Sequence, residues 1–449
     1  MNFILQPVGQ EDDPRSFLDC RAAPSPFAIS EDQVEWFRQL GGPLLAFYRA
    51  KNKLYYESVA GRQPAWVAQY LDNGKPESLV SIGRAKVFRE QLPAVIRPDV
   101  LLTGDGYAIC ELDSVPGGFG LAARMANYYR AHGHRLAGDL SIEDGFLGAT
   151  VGRASTKVRL AIVVSDESAD YFNEMAWLAR RLTDLGHEVV AIRPRDLRYT
   201  DEELLLVDGE RRLPIDVVYR FMELFDLPNV SKSELLLFLA KGKRVAITPP
   251  PKAFLEEKLW FALFHHPALQ PYWHGELSQE DWDLLQHAIP RTWIVDPTPL
   301  PPHAIIPGLA ADGRAVQSWD DVANVSKRGR NLVLKPSGFS EQAWGSRGVV
   351  IGHDTSSVEW VTAINRALGD FPRTSWVLQE FRAPVRQVVN AFDHVGRNVI
   401  PLEGRARLTP YFFIEGDKAR LSTILATICP IDKKKIHGMG DAVMTVCSW

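Results

Sequence analysis

Residues 95–120 read VIRPDVLLTGDGYAICELDSVPGGFG, and how this stretch folds decides the rest of the chain. Two apolar runs flank Thr103-Gly104-Asp105-Gly106, and Asp-Gly between alternating runs is a strong hairpin signal. Strand side chains alternate between faces. Arg97 and Asp99 therefore share one face of the first strand, and Glu111 and Asp113 share one face of the second. Loop parity decides whether the two pairs meet. A three-residue loop, Gly104-Asp105-Gly106, pairs Thr103 with Tyr107, sets Asp99 opposite Glu111 and sets Arg97 opposite Asp113. A two-residue loop at Asp105-Gly106 sends the pairs to opposite faces. Gly106 suits the left-handed position that closes a three-residue loop, so the odd loop is expected.

Three carboxylates and one guanidinium then converge. Like charges about 4 Å apart repel by roughly 4 kcal/mol at an effective dielectric near 20, and one arginine cannot neutralise three acids. Mg²⁺ favours a few carboxylates plus substrate phosphate oxygens, which makes Asp99, Glu111 and Asp113 candidate metal ligands. The plainer alternative is a solvated strand face with a surface Arg–Asp pair, and the hairpin alone leaves both open.

Bulk properties narrow the class. A chain of 449 residues exceeds one simple core and predicts about two to four domains. Hydrophobic content of 46% and charged content of 24% belong to an ordinary globular protein. With a net charge of −4 and scattered basic residues, nucleic acid is not expected as a partner. No apolar run approaches the roughly 18 residues of a membrane span, and residues 1–9 lack a leader's charged start and long apolar core. Cys20, Cys110, Cys429 and Cys447 lie far apart, with no CxxC and no histidine at ligand spacing. Such usage fits a reduced cytoplasm without a disulfide framework or structural zinc. Oligomeric state is not encoded in any motif.

Four segments are expected: a mostly helical region at 1–94, the acidic hairpin and a helix at 95–150, an α/β unit at 151–250, and a final segment at 251–449 that carries the candidate nucleotide-binding residues. Ser30-Glu31-Asp32 opens one N-terminal helix, and Trp66 to Leu71 sits in another. From residue 157 the pattern turns to strand, helix, strand, implying a parallel sheet. The loop Ser165-Asp166-Glu167-Ser168 contains no glycine, so the dinucleotide fingerprint is missing. Pro249-Pro250-Pro251 breaks the chain, and an amphipathic helix over residues 252–261 is expected to turn Lys258 away from Phe254, Leu255 and Leu259.

The segment Leu332-Val333-Leu334-Lys335-Pro336-Ser337-Gly338 places a lysine at the end of an apolar strand. Ser337, Gly338, Gly345 and Gly348 then populate a loop before the next strand. Such a loop can cover a triphosphate with backbone N–H groups while the lysine adds a point charge. It is not the P-loop, because GxxxxGK[ST] is missing. An ordinary flexible hairpin remains the alternative. Further on, Gln379-Glu380-Phe381 ends a strand, and Arg405 and Arg407 alternate on another.

Taken together these segments resemble the ATP-grasp ligases in a circularly permuted order, as in the glutathionylspermidine synthetase-like proteins. That family carries Arg-x-Asp and, after a turn, Glu-x-Asn; here Arg97-Pro98-Asp99 and Glu111-Leu112-Asp113 stand at a matching interval. The resemblance covers roughly residues 95–449. It implies an α+β fold with an α/β unit, binding of ATP and Mg²⁺, and ligation of a small-molecule or peptide carboxylate to an amine. It further implies nucleotide binding by Lys258 and Lys335, a phosphate lid after Lys335, and adenine and ribose contacts from Gln379, Glu380 and Phe381. Arg97 would neutralise the transferred group, and Arg407 would hold the acid substrate or acyl phosphate. Two features depart from the pattern: Asp113 stands in place of Asn, and Trp344 and Arg347 make the lid bulkier. A nucleotide-binding protein without turnover, or a phosphotransferase, would use the same residues.

Overall fold

Helix Glu31–Val59 begins at Ser30, whose hydroxyl accepts from Gln33 N–H while the Gln33 side chain returns to the Ser30 N–H, a full capping box. It continues for 29 residues through Gly41-Gly42-Pro43, a run that would ordinarily punctuate a helix. Packing overrides the propensity. A Cβ on Gly41 would stand 2.8 Å from Ala419 O, so the helix lies directly on a strand of the largest sheet. The structure is a computed structural model, and it describes residues 20–113, 115–152, 157–393, 398–433, 435–436 and 440–449. The side chains of Trp344 and Ser346 also fall outside the description, as do residues 1–9 discussed above. No helix among the described residues is long and apolar enough to cross a membrane.

Among the described residues the α/β fold contains one eight-stranded sheet, two four-stranded sheets and two smaller ones. The eight-stranded sheet places Val399–Glu415 between Lys418–Pro430 and Val95–Thr103, with Gly106–Asp113 beyond. The expected α/β unit is present as four parallel strands in the order Ala246–Thr248, Val217–Phe221, Arg159–Val164, Glu188–Ile192. An antiparallel sheet orders Thr292–Ile294, Trp376–Glu380, Leu332–Pro336 and Val350–Ile351, putting the Lys335 strand beside the strand that ends at Glu380.

The hairpin turns differently from expectation. Thr103 pairs with Gly106, so the loop is the two residues Gly104-Asp105. By itself that even loop would separate the charged pairs. A β-bulge corrects the count: Val100 pairs with Ile109 but Asp99 with Glu111, leaving Cys110 as the extra residue. Asp99 therefore still faces Glu111, and Arg97 faces Asp113. The loop is short because its end is tied down. Thr103 Oγ1 donates to Asp105 Oδ1 at 2.7 Å, Thr103 bridges to Pro384, and Arg382 reaches Asp105 Oδ2 at 3.1 Å. The helix expected over 252–261 is also corrected. A 3-10 turn spans Ala253–Glu256 and a separate helix spans Leu259–His265, so Lys258 lies at a helix start rather than on a helix surface.

One apolar cluster joins Phe37 and Leu40 of the first helix to Phe412 and Ile424 of the large sheet and to Trp260 and Phe264. Trp36 stacks on Tyr107 of the hairpin with ring centroids 3.7 Å apart. The N-terminal helix is thus a wall of the core behind the hairpin. Phe37→Ala is expected to destabilise the fold by about 3–5 kcal/mol. Denaturant unfolding followed by hydrogen exchange should show the large sheet losing protection together with the helix; loss confined to the helix would contradict the shared core.

Candidate active site

The charged face of the hairpin gathers cations from three other segments. Arg97 pairs with Asp113 within the hairpin. Arg407, from strand Val399–Glu415, holds Asp99 at 2.9 Å, and Lys258 holds Glu111 at 2.8 Å. Lys335 Nζ donates to the carbonyl of Cys110 at 3.1 Å and to Gln379 Oε1 at 2.8 Å. The premise that one arginine faces three acids therefore fails: each acid has a cation of its own. Among the described residues no three carboxylate, histidine or cysteine side chains stand close enough to hold a metal ion as they are.

A cavity of about 400 Å³ opens on this face. Arg97, Asp99, Glu111, Asp113, Lys258 and Arg407 all line it. Gly117 and Tyr171 line another part, and Gly338, Gly345 and Arg347 approach from the loop after Lys335. Three buried polar atoms of residues that line it, Arg97 Nε, Asp99 Oδ1 and Arg407 Nε, have no hydrogen-bond partner among the described residues. Orphaned buried groups of this kind signal a ligand, ion or water with matching groups.

Burial and charge divide the acids. Burial pushes the Asp99 carboxyl above the ordinary range, and Arg407 and Arg97 only partly offset it. Burial acts the same way on Glu111, yet Lys258 and Lys335 outweigh it and hold Glu111 below the ordinary range. Lys258 is correspondingly raised: its burial is more than balanced by Glu111. Opposite charges favour the ionised form, burial the neutral one, and here neighbouring groups sit on either side of that balance.

The remaining expected site residues are placed less openly. Ser337 Oγ donates to Glu257, as does Gly338 N–H at 3.1 Å, so neither donor is available to a phosphate in this arrangement. A Cβ on Gly338 would stand 1.8 Å from Glu256 O, whereas Gly345, at φ +61, has open space around it. Gly348 packs on the Pro336 ring. Gln379 is buried, its amide nitrogen donating to Thr292 Oγ1 at 3.2 Å. The N–H groups of Glu380 and Phe381 donate to Arg291 O and Asn331 O, and the Glu380 carboxylate accepts from Arg382 at 3.5 Å.

Arg220, Glu256 and Glu174 were not singled out by the sequence reading, whereas Gly117 belongs to the glycine-rich corner that closes residues 95–120. The Gly117 carbonyl accepts from Arg97 at 3.1 Å and from Tyr411 OH at 2.7 Å. Arg220, fully buried, pairs with Glu256 on the cavity wall. Glu174 accepts from Gly118 N–H at 2.6 Å and Leu121 N–H at 3.4 Å, at the start of helix Phe119–Ala131. Glu256 and Glu257, next to a candidate lysine, were a readable signal. Glu174 was not, because its partners lie more than 50 residues away.

No protein-family model matches the sequence, and no curated protein matches it either. Among solved structures the chain is similar to a glutathione synthetase-like effector from Globodera pallida in its apo form. Identity is 12%, the match covers 96% of this chain and 90% of that one, and the TM-score is 0.56. That coverage includes the helical N-terminal region. A putative gamma-glutamylcysteine synthetase from Methylobacillus flagellatus also matches, at 12% identity over 93% of this chain and 86% of that one, with a TM-score of 0.41. At these identities the likeness to the first is one of fold, and the second is too distant to support an argument.

Burial raises Glu174 to about 7, with the Gly118 and Leu121 N–H groups and Arg97 only partly offsetting it. As pH rises from about 4.5 toward 7, the unfolded chain loses a proton that the folded chain keeps, so stability falls, by about 3 kcal/mol in full. Denaturant midpoints between pH 5 and 8 should show that decline, and Glu174→Gln should flatten it. An unchanged profile in the variant would assign the decline to another group.

Proposed function

We propose that this protein is an ATP-dependent carboxylate–amine ligase on an ATP-grasp fold in circularly permuted order. It would join a small-molecule or peptide carboxylate to an amine and release ADP and phosphate. One observation carries the proposal: Asp99, Glu111 and Asp113 meet Arg407, Lys258 and Arg97 pairwise on the wall of a single cavity. Magnesium nucleotide offers every member of these pairs an alternative partner. Phosphate oxygens suit the cations, and an oxygen-seeking divalent ion suits the carboxylates.

The donor chemistry suits Mg²⁺, being oxygen-only, although the three carboxylates do not stand close enough to share an ion in this arrangement. Asp99 Oδ1 accepts no hydrogen bond among the described residues and has the Arg97 guanidinium 3.6 Å away. Asp99, Glu111 and Asp113 would hold the ion, which supplies charge neutralisation on phosphate oxygens. Lys258 and Lys335 would take the nucleotide phosphates, Arg97 the charge that spreads over the transferred group, and Arg407 the acid substrate. The acid's oxygen attacks the γ-phosphorus and ADP departs. The neutral amine nitrogen then attacks the acyl carbon, the bond from that carbon to the phosphate oxygen breaks, and the proton lost from nitrogen leaves with the departing phosphate. Positioning and charge account for most of such catalysis. With Ser337 and Gly338 committed to Glu257, the lid's phosphate contacts are assigned to its Gly345 end. The adenine and ribose contacts are assigned to Glu380 and Phe381, while Gln379 acts by holding Lys335.

A second possibility, nucleotide binding without turnover, is favoured by the self-neutralised pairing of the acids. ADP release coupled to a new amide, followed by mass spectrometry over amino acids, peptides and polyamines, separates the two.

Calorimetry should show ATP binding in the presence of Mg²⁺, weakened about 10- to 100-fold in Glu111→Ala. No binding by the native chain, or equal binding by the variant, would defeat the proposal. The bulge supplies a sharper test. Deleting Cys110 removes the bulge and the carbonyl that Lys335 holds while leaving Asp99 opposite Glu111, and should weaken binding, whereas Cys110→Ala should preserve it. Equal behaviour of the two would mean that the contact between Lys335 and the bulge does not matter to the site.

A further inference from the structure

Of the charged side chains that the N-terminal region sends into residues 251–449, Lys75 reaches the root of the loop after Lys335. Lys75 follows the helix Ala65–Asp72. Its neighbour Gly74, at φ +71, lies so close to the chain at Arg373 that a Cβ would stand 1.9 Å from Arg373 O. Asn73 Nδ2 donates to Ser375 Oγ at 3.0 Å, and Ser337 N–H donates to Ser375 O at 2.8 Å. This turn is therefore seated against the root of the loop that follows Lys335.

From there Lys75 pairs with Glu257, and both side chains are only 2% exposed. The Glu257 carboxylate also accepts from Ser337 Oγ and Gly338 N–H. Ser337 Oγ in turn accepts from Leu259 N–H at 3.4 Å, beside Lys258. The Lys75 ammonium stands 5.4 Å from the Phe339 ring centroid, within cation–π range. One buried carboxylate thus connects the Lys258 helix start, the root of the loop after Lys335, and the N-terminal region. A buried carboxylate stripped of its cation is strongly unfavourable. Lys75 is what allows Glu257 to stay there and hold the loop.

We propose that Lys75 is a positioning residue for the nucleotide site. By compensating Glu257 it fixes the Ser337-Gly338 root of the lid, so the N-terminal region sets how firmly the lid is held. The proposal rests on the nucleotide function given above, and its test has a readout that needs no nucleotide.

The full chain is compared with Lys75→Met and with Lys75→Met combined with Glu257→Gln. Amide exchange of residues 337–348 is measured without ligand, and ATP affinity is measured with Mg²⁺. Lys75→Met strands the Glu257 charge and should speed exchange in that segment about 10- to 100-fold and weaken ATP about tenfold. The added Glu257→Gln removes the stranded charge but keeps an acceptor for Ser337 and Gly338. It should return both readouts to within about threefold of the native chain. Exchange that rises evenly over the whole chain, or a double variant no better than Lys75→Met, would overturn the proposal and leave Lys75 an ordinary structural cation. Localised, rescued exchange in a chain that binds no ATP would support the strut and overturn the ligase assignment instead.

Discussion

One extra residue holds the charged face of the hairpin together. A two-residue turn between Thr103 and Gly106 sets an even register, and Cys110 converts it to an odd one before the acids are reached. The carbonyl of that bulged residue accepts from Lys335. A β-bulge leaves a backbone group without a ladder partner, and an ammonium satisfies it. Lys335 belongs to another sheet and is itself held by Gln379. The hairpin register and the placement of the second candidate lysine are therefore a single arrangement, and neither could shift without the other.

The acids that this register gathers are not left repelling one another. Arg97, Lys258 and Arg407 arrive from separate parts of the chain and each takes one carboxylate. Buried or half-buried ion pairs contribute little net stability when desolvation is counted. What they do here is leave each of the three carboxylates with a cation beside it on the cavity wall. The opposite pKa directions of Asp99 and Glu111 reflect how completely each one is compensated.

Around this centre the fold uses backbone contacts to position charge. Tyr411 and Arg97 share the Gly117 carbonyl, while Glu174 takes the N–H groups of the residues that follow. A carboxylate at a helix start is favoured by the exposed N–H groups there, yet full burial works against its charge. Glu257 plays the parallel part at the root of the loop after Lys335, with Lys75 balancing it. Both acids hold glycine-rich turns that border the cavity.

Local periodicity in the sequence was enough to place the first long helix, the parallel α/β unit, the Lys335 strand and the break at the three prolines. Those features depend on neighbours within a few residues, and alternation or helical spacing records them directly. In the candidate site the acids at 99, 111 and 113 were legible from the same alternation and Lys335 from its strand end, while Lys258 stood out only through the family resemblance. Tertiary structure decided what they do to one another. The parity of the hairpin depended on a bulge whose carbonyl needed Lys335 from another sheet. The pairing of Arg407 with Asp99 required strand Val399–Glu415 to lie beside Val95–Thr103. Ser337 and Gly338 looked like an open phosphate loop until Glu257 and Lys75, distant in sequence, were brought beneath them. Burial and ion pairing are set by residues far apart along the chain, and a pattern of residue types carries no distance between them.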